Sequence, residues 1–245
     1  MTTATDFNIV ISTSTDPYRN LALEQNLFQQ IEPGQVYFML WQNQDSVIIG
    51  RNQNPLQEIN LSYLRLHDIQ LARRMTGGGT VFHDLGNLNY SFITDRAIYD
   101  ETQQFGLILS ALAKWQLLAD LNHRKDLLLG SRKFSGNSFR FTSRQALHHG
   151  TLLVSSNLDK LQATLNPQFE NIDTSAVRSN HTAVVNLCEL NPVLTVARLK
   201  QSLLDTFGEI YGAADTFVID PEDIVELDHE YLTHASDDWI YGMEL

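Results

Sequence analysis

A single cysteine, Cys188, in a chain of 245 residues leaves no internal disulfide to form, so nothing here calls for an oxidising compartment. Positive charge is scarce as well. Lysine and arginine number 17 against 29 carboxylates, a formal charge of −12. Nucleic-acid binders carry the opposite balance, at least along one stripe, so no nucleic-acid partner is expected. No apolar run approaches the roughly 20 residues of a membrane-spanning helix, and the opening MTTATDFNIV lacks the basic start and apolar core of a secretion signal. These absences describe a cytoplasmic protein without membrane contact. The few basic residues gather at Arg73-Arg74, Arg124-Lys125 and Arg132-Lys133, which suits a small anionic ligand better than a polyanion.

What is present reads as mixed secondary structure. Phe7 to Ile11 has the β-branched alternation of a strand, and Asp16-Pro17 supplies an N-cap and a first-turn proline for a helix. Leu23, Leu27 and Ile31, spaced by four, give that helix a buried face, and Pro33-Gly34 ends it. Val36–Trp41 and Ser46–Ile49 read as two strands paired across the polar turn 42–45. A short helix over 61–67, strands at 69–73, 81–82 and 88–93, and a long helix over 102–119 follow. Residues 126–154 read as a β-meander with turns at Gly130, Gly136-Asn137 and Ser143. Helices are expected over 158–165 and 193–207, then an acidic tail in which Trp239, Tyr241 and Met243 alternate. Without a steady βαβ alternation, the class is α+β, a mixed sheet packed with helices.

The stretch RRMTGGGTVFHD, Arg73 to Asp84, holds two cations beside three consecutive glycines. Its spacing matches neither a dinucleotide fingerprint nor a phosphate loop. A glycine run between strands is either a flexible hairpin or a cradle whose backbone N–H groups converge on an anion. Adjacent strand residues face opposite ways, so only one of Arg73 and Arg74 can reach the loop. In GSRKFSGNS, Lys133 is either a solvated edge lysine or a point charge for a developing oxyanion. Asp126 is either a cap or a magnesium ligand shared with phosphate oxygens. His148 and His149 cannot share one metal from opposite faces, and Cys188 has no basic neighbour to activate it.

Taken together, DPYRNLALEQNLF, WQNQDSVIIGRNQNP, ARRMTGGGTVFHDLGNLNYSF, RKDLLLGSRKFSGNSFR, HHGTLL and VVNLCELNP run in the order found in the lipoate-protein ligase A family, which the chain resembles almost end to end. The resemblance implies the mixed-sheet fold shared with biotin ligases and class II aminoacyl-tRNA synthetases. It implies activation of lipoate by ATP and Mg²⁺ to lipoyl-adenylate, then transfer to a lysine of lipoyl-domain proteins such as 2-oxoacid dehydrogenase acyltransferase subunits and the glycine cleavage H protein. Lys133 becomes the catalytic cation. Arg74, Thr76, Gly77, Gly78, Gly79, Thr80, Val81, Phe82, His83, Asn87, Gly136 and His149 become contacts of the acyl nucleotide, and Asp126 the Mg²⁺ ligand. Leu21, Trp41 and Val47 are expected along an apolar tunnel. Residues 1–245 are expected to be one catalytic domain without the small C-terminal accessory domain of some relatives. That expectation leaves room for a separate accessory protein, or for ATP-independent lipoyl or octanoyl transfer.

Overall fold

The stretches richest in β-branched and aromatic residues become neighbours at the centre of a six-stranded mixed sheet. A computed structural model describes residues 5–167, 176–180 and 182–242; Met243, in the alternating tail, lies outside them. The sheet contains β1 (Asp6–Ser12), β2 (Gln35–Trp41), β6 (Asn87–Asp95), β10 (Asn137–Phe141), β11 (Gln145–Leu153) and β12 (Asp215–Ile219), in the order β10-β11-β6-β2-β1-β12. β1 runs parallel to both its neighbours, and the other pairs are antiparallel. The exposed edge strand β12 was not expected from the sequence; its side chains bury little, so it carries no alternating signal.

A second sheet places β3 (Ser46–Ile49) between β4 (Gln70–Arg73) and β5 (Val81–His83). The expected pairing of Val36–Trp41 with Ser46–Ile49 is therefore wrong: β2 and β3 lie in different sheets. Residues 42–45 bridge the two layers instead of forming a hairpin turn. The third sheet, β7 (Asp120–Leu121), β8 (Leu127–Leu129) and β9 (Arg132–Ser135), corrects the meander in the same way. Gly130, at φ 62°, does turn β8 into β9, but Gly136 carries the chain from one sheet to another.

Nine helices are described: α1 (Pro17–Gln30), α2 (Pro55–Glu58), α3 (Leu61–Leu66), α4 (Glu101–Ala113), α5 (Leu158–Thr164), α6 (Leu187–Leu190), α7 (Val196–Tyr211), α8 (Asp228–Ala235) and α9 (Asp237–Tyr241). Asp16 caps α1 as its sequence predicts, accepting from the amides of Tyr18 (2.7 Å) and Arg19 (3.2 Å). Such a cap contributes about 1 kcal/mol. α4 ends at Ala113, earlier than expected, because the chain turns through Gln116 at φ 60°; Leu118 is left exposed.

The period of two along β6 divides the molecule. Leu88, Tyr90 and Phe92 face the main core, where Leu107 of α4 and Leu199 and Phe207 of α7 cover them. Phe38 stacks there between Phe92 and Phe207, at centroid separations of 4.7 and 5.3 Å. Asn87, Asn89 and Ser91 face the other way. Against that side lie the second sheet and α1, joined through Leu21, Leu23, Met39, Trp41, Ile48 and Ala72. The functional cavity opens in this second layer.

Candidate active site

Arg73 and Arg74 divide as strand geometry requires. Arg73 is buried and donates to the carbonyls of Gly50, Arg51 and Gln53 at 2.8–3.0 Å and to those of Trp239 and Ile240 at 2.6–3.1 Å. It fastens the turn after β3 to α9. Arg74 goes to the glycine loop: Nη2 reaches Gly77 O (2.5 Å) and Gly79 O (2.7 Å), Nη1 reaches Ile48 O (3.1 Å), and Nε reaches Thr76 Oγ1 (3.0 Å). Burial lowers its pKa to about 10, opposed by the Glu24 charge, so it stays a cation at neutral pH.

The loop has the shape it has because of two glycines. Gly78 sits at φ 84°, a region that L side chains rarely adopt. A Cβ on Gly50 would stand 2.2 Å from Gly78 O, so that glycine permits the close approach of the β3 turn. Ser138 Oγ, on β10, donates to Gly77 O at 2.9 Å. Across the loop, Ser179 Oγ accepts from Thr80 N (2.8 Å) and Gln53 Nε2 (3.0 Å) and donates to Glu58.

A cavity of about 350 Å³ begins here, a size that accommodates a small-molecule ligand. One end is lined by Leu21, Trp41 and Ile48 with His83 and Asn89, the other by Lys133, Asp126 and Arg124; Gly78, Gly79, Thr80, Val81, Gly136 and His149 lie along it. Trp41, Asn89 and Thr151 are successive register partners across β2, β6 and β11, and the Thr151 amide donates to Gly136 O (3.1 Å). Three strand spacings of about 4.8 Å thus separate Trp41 from the Lys133 hairpin, roughly 14 Å. Val47, expected in the lining, points into the outer core with Ile49 and Phe82; Ile48 takes its place by strand alternation. Lys133 also borders a second cavity of about 580 Å³, shared with Phe82, Leu158, Leu161 and Leu165.

Lys133 Nζ lies 2.6 Å from Asp126 Oδ1. Its backbone is fixed by its amide on Ala183 O (2.8 Å) and by Val185 N on its own carbonyl (3.0 Å). Asp126 Oδ2 accepts from Asn122 Nδ2 at 3.2 Å. Among the described residues no group of three or more His, Cys, Asp or Glu side chains is placed to hold a metal ion. Asp126 is the one carboxylate among the described residues lining this cavity, a donor that Mg²⁺ would accept together with ligand phosphates, since that ion usually takes one or two carboxylates plus phosphates.

Other expected contacts lie further back. Asn87 donates to Asn89 Oδ1 (2.8 Å), and it is Asn89, not Asn87, that lines the cavity. Thr76 and Gly77 shape the loop through Arg74 and His149 without lining the cavity themselves. His83 accepts from Asn43 at Nδ1 (3.1 Å); burial, then the charge of Arg74, pushes its pKa down to about 3, so the ring is neutral. His83 Nε2, Asn89 Nδ2 and one oxygen of Glu24 have no protein partner among the described residues. Buried polar atoms left unmet are costly, and His83 and Asn89 line the cavity, so their free atoms suit a polar ligand or ordered water.

A model of the lipoyl protein ligase A/B catalytic domain matches residues 16–208. The chain is 37% identical to a lipoate-protein ligase A of Psychrobacter cryohalolentis, across 96% of this chain and 72% of the relative. The chain belongs to the lipoyl protein ligase family. LipL1 of P. falciparum, solved in complex with lipoate, superposes with a TM-score of 0.85 at 28% identity, covering 98% of this chain and 75% of that one. A lipoate-protein ligase A bound with ATP shares the fold, with a TM-score of 0.79 at 24% identity over 98% of this chain and all of that one.

Among lipoyl protein ligase family blocks, the ones recognised in the sequence converge: the glycine loop, the Lys133 hairpin and His149 border one cavity. Sequence reasoning missed Glu24, Ile48, Gly50, Asn89, Ser138 and Thr151. Asn87, Asn89 and Ser91 alternate with Leu88, Tyr90 and Phe92, a period-two polar stripe that does mark a strand with one polar buried face. Gly50 carries no such signal, because its neighbour Gly78 is remote in sequence.

Proposed function

We propose that this chain is an ATP-dependent lipoate–protein ligase that works through lipoyl-adenylate. The observation that carries this reading is the polarity of the cavity. It runs from the apolar end at Leu21, Trp41 and Ile48 to a cationic end at Lys133, with the glycine loop beside it. An eight-carbon acyl chain lies in the first part and its carboxylate reaches Lys133. The second cavity, which shares Thr80, Val81, Lys133 and Gly136 with the first, takes the nucleotide.

In the first step a carboxylate oxygen of lipoate attacks the α-phosphorus of ATP. The new C–O–P bond forms as the Pα–O bond to pyrophosphate breaks. Charge builds on the nonbridging oxygens, where the Lys133 ammonium neutralises it. Mg²⁺, held by Asp126 and phosphate oxygens, would supply a second positive charge for the leaving pyrophosphate. In the second step an acceptor lysine amine attacks the acyl carbonyl, its C–O bond to AMP breaks, and the amine proton is lost to solvent. Neither step needs a protein nucleophile. Positioning and cations suffice. The acceptors are lipoyl-domain proteins.

Mixing the protein with lipoate, Mg-ATP and an apo lipoyl domain should release pyrophosphate and add one lipoyl mass to the domain. Transfer from synthetic lipoyl-adenylate, with none from lipoate and ATP, would replace this reading with an ATP-independent transferase. Restoration of the first step by cell extract would show that a separate accessory protein is required.

A further inference from the structure

Behind the cavity wall a run of buried polar groups leads away from Arg74. Arg74 Nε donates to Thr76 Oγ1 (3.0 Å), and Thr76 Oγ1 lies 2.8 Å from His149 Nε2. On the other side of the ring, His149 Nδ1 lies 2.9 Å from Glu24 Oε1. The same oxygen accepts from Ser91 Oγ (2.5 Å), which in turn accepts from Trp41 Nε1 (3.0 Å). Glu24 belongs to α1, Ser91 to β6, His149 to β11 and Thr76 to the loop, so four separate segments meet in one chain of contacts. One direction of donation satisfies every link. Arg74 donates to Thr76, the Thr76 hydroxyl donates to Nε2, and Nδ1–H donates to Glu24.

Glu24 is fully buried on a helix face it shares with Asn20, Leu21 and Phe28, and it is the one carboxylate among the buried residues of α1. A carboxylate left alone there would be heavily penalised, and so would a buried guanidinium whose hydrogen bonds all go to neutral oxygens. Those neutral acceptors are what Arg74 has: three carbonyls and a hydroxyl. Glu24 is therefore the counter-charge that the immediate surroundings of Arg74 lack.

We propose that Glu24 is a positioning residue for the adenylation site, acting on Arg74 through His149 and Thr76. It sets which nitrogen of His149 carries the proton. That choice turns the Thr76 hydroxyl so that its lone pairs face Arg74, and the guanidinium is held flat against the Gly77 and Gly79 carbonyls. The catalytic consequence rests on the ligase reading, whereas the order imposed on Arg74 does not.

The test is a double-mutant cycle with a spectroscopic arm. Glu24→Gln keeps the shape and removes the charge; Thr76→Val keeps the shape and cuts the link, whereas Thr76→Ser preserves it. Each is made alone and in an Arg74→Lys background, and kcat/KM for lipoyl transfer is measured. Glu24→Gln and Thr76→Val should each lower kcat/KM by about tenfold or more, and Thr76→Ser by less than about threefold. In the Arg74→Lys background the further loss from either should shrink towards none, since residues in one network are not additive. The Arg74 Nε–H resonance, assigned by its loss in Arg74→Lys, should be sharp in the unsubstituted protein and exchange-broadened in Glu24→Gln and Thr76→Val. Independent, multiplicative losses together with an unchanged Arg74 resonance would overturn the proposal. Should the unsubstituted protein ligate nothing, the ligase reading falls, and the resonance still decides the link between Glu24 and Arg74. If Glu24→Gln does not fold, the Thr76 pair carries the test.

Discussion

The two faces of the six-stranded sheet are built on the same strands and do opposite things. On one, Phe38, Tyr90, Phe92 and Phe139 pack against α4 and α7, and a buried histidine there, His148, is stacked 4.5 Å from Phe139. On the other, Trp41, Asn89, Thr151 and His149 line a cavity. Along β11 the change falls between two adjacent histidines. His148 lies among rings and amides, its pKa lowered well below the ordinary value chiefly by burial. His149 belongs to the chain of contacts that reaches the glycine loop. A strand with a period of two can thus hold stability on one side and chemistry on the other. Substitutions on the two sides should separate accordingly.

The largest effect is expected on the apolar face. Phe92→Ala should cost about 3–5 kcal/mol of unfolding free energy, because it removes a fully buried ring from one end of the Phe92–Phe38–Phe207 stack. Urea titration measures it, and a loss below about 1 kcal/mol would undo the division. On the cavity side, Lys133→Ala should lower the rate of pyrophosphate release about 10²–10³-fold, as loss of one well-placed charge contact does. Its unfolding midpoint should stay close to that of the unsubstituted protein, and full retained activity would remove Lys133 from the mechanism.

The arginine pair sharpens the contrast between two adjacent residues. Arg73→Lys should destabilise the protein by about 2 kcal/mol, since it strips donors from five carbonyls, three of them buried. Arg74→Lys should instead weaken binding of a non-hydrolysable acyl-adenylate, read by calorimetry, about tenfold more than Arg73→Lys does. Equal effects on binding would refute the split.

Acid should weaken both layers. His83 is depressed to about 3 and His234 to about 4, largely by burial. The unfolded chain binds those protons near the ordinary histidine value of about 6.5, so between pH 6.5 and 4 it takes up protons that the folded protein refuses. Stability present above pH 6.5 is therefore lost as pH falls, by up to about 1.4 kcal/mol per pH unit for each histidine. Urea midpoints across that range check the sign; a midpoint that rises on acidification would reverse it. The smallest effect belongs outside both layers. Lys114→Ala, which removes an exposed ion pair with Glu209 (2.7 Å) bridging α4 and α7, should change stability by no more than about 1 kcal/mol and leave ligation untouched.

The sequence alone was enough for those parts that depend on neighbours in the chain. Asp16-Pro17 announces α1, and the alternation of 88–93 announces β6. The opposed directions of Arg73 and Arg74, and of His148 and His149, follow from strand geometry. The family blocks name Lys133 and the glycine loop. Tertiary structure alone decided what depends on remote contact. It separated β2 from β3 into two sheets, so that Ile48 rather than Val47 lines the cavity. It placed Gly50 against Gly78 and brought Glu24 of the first helix to His149 of the eleventh strand. The physical reason is range. Capping, turns and alternation act over a few residues, whereas the partner of a buried charge is whichever group the packed layers bring within hydrogen-bonding distance.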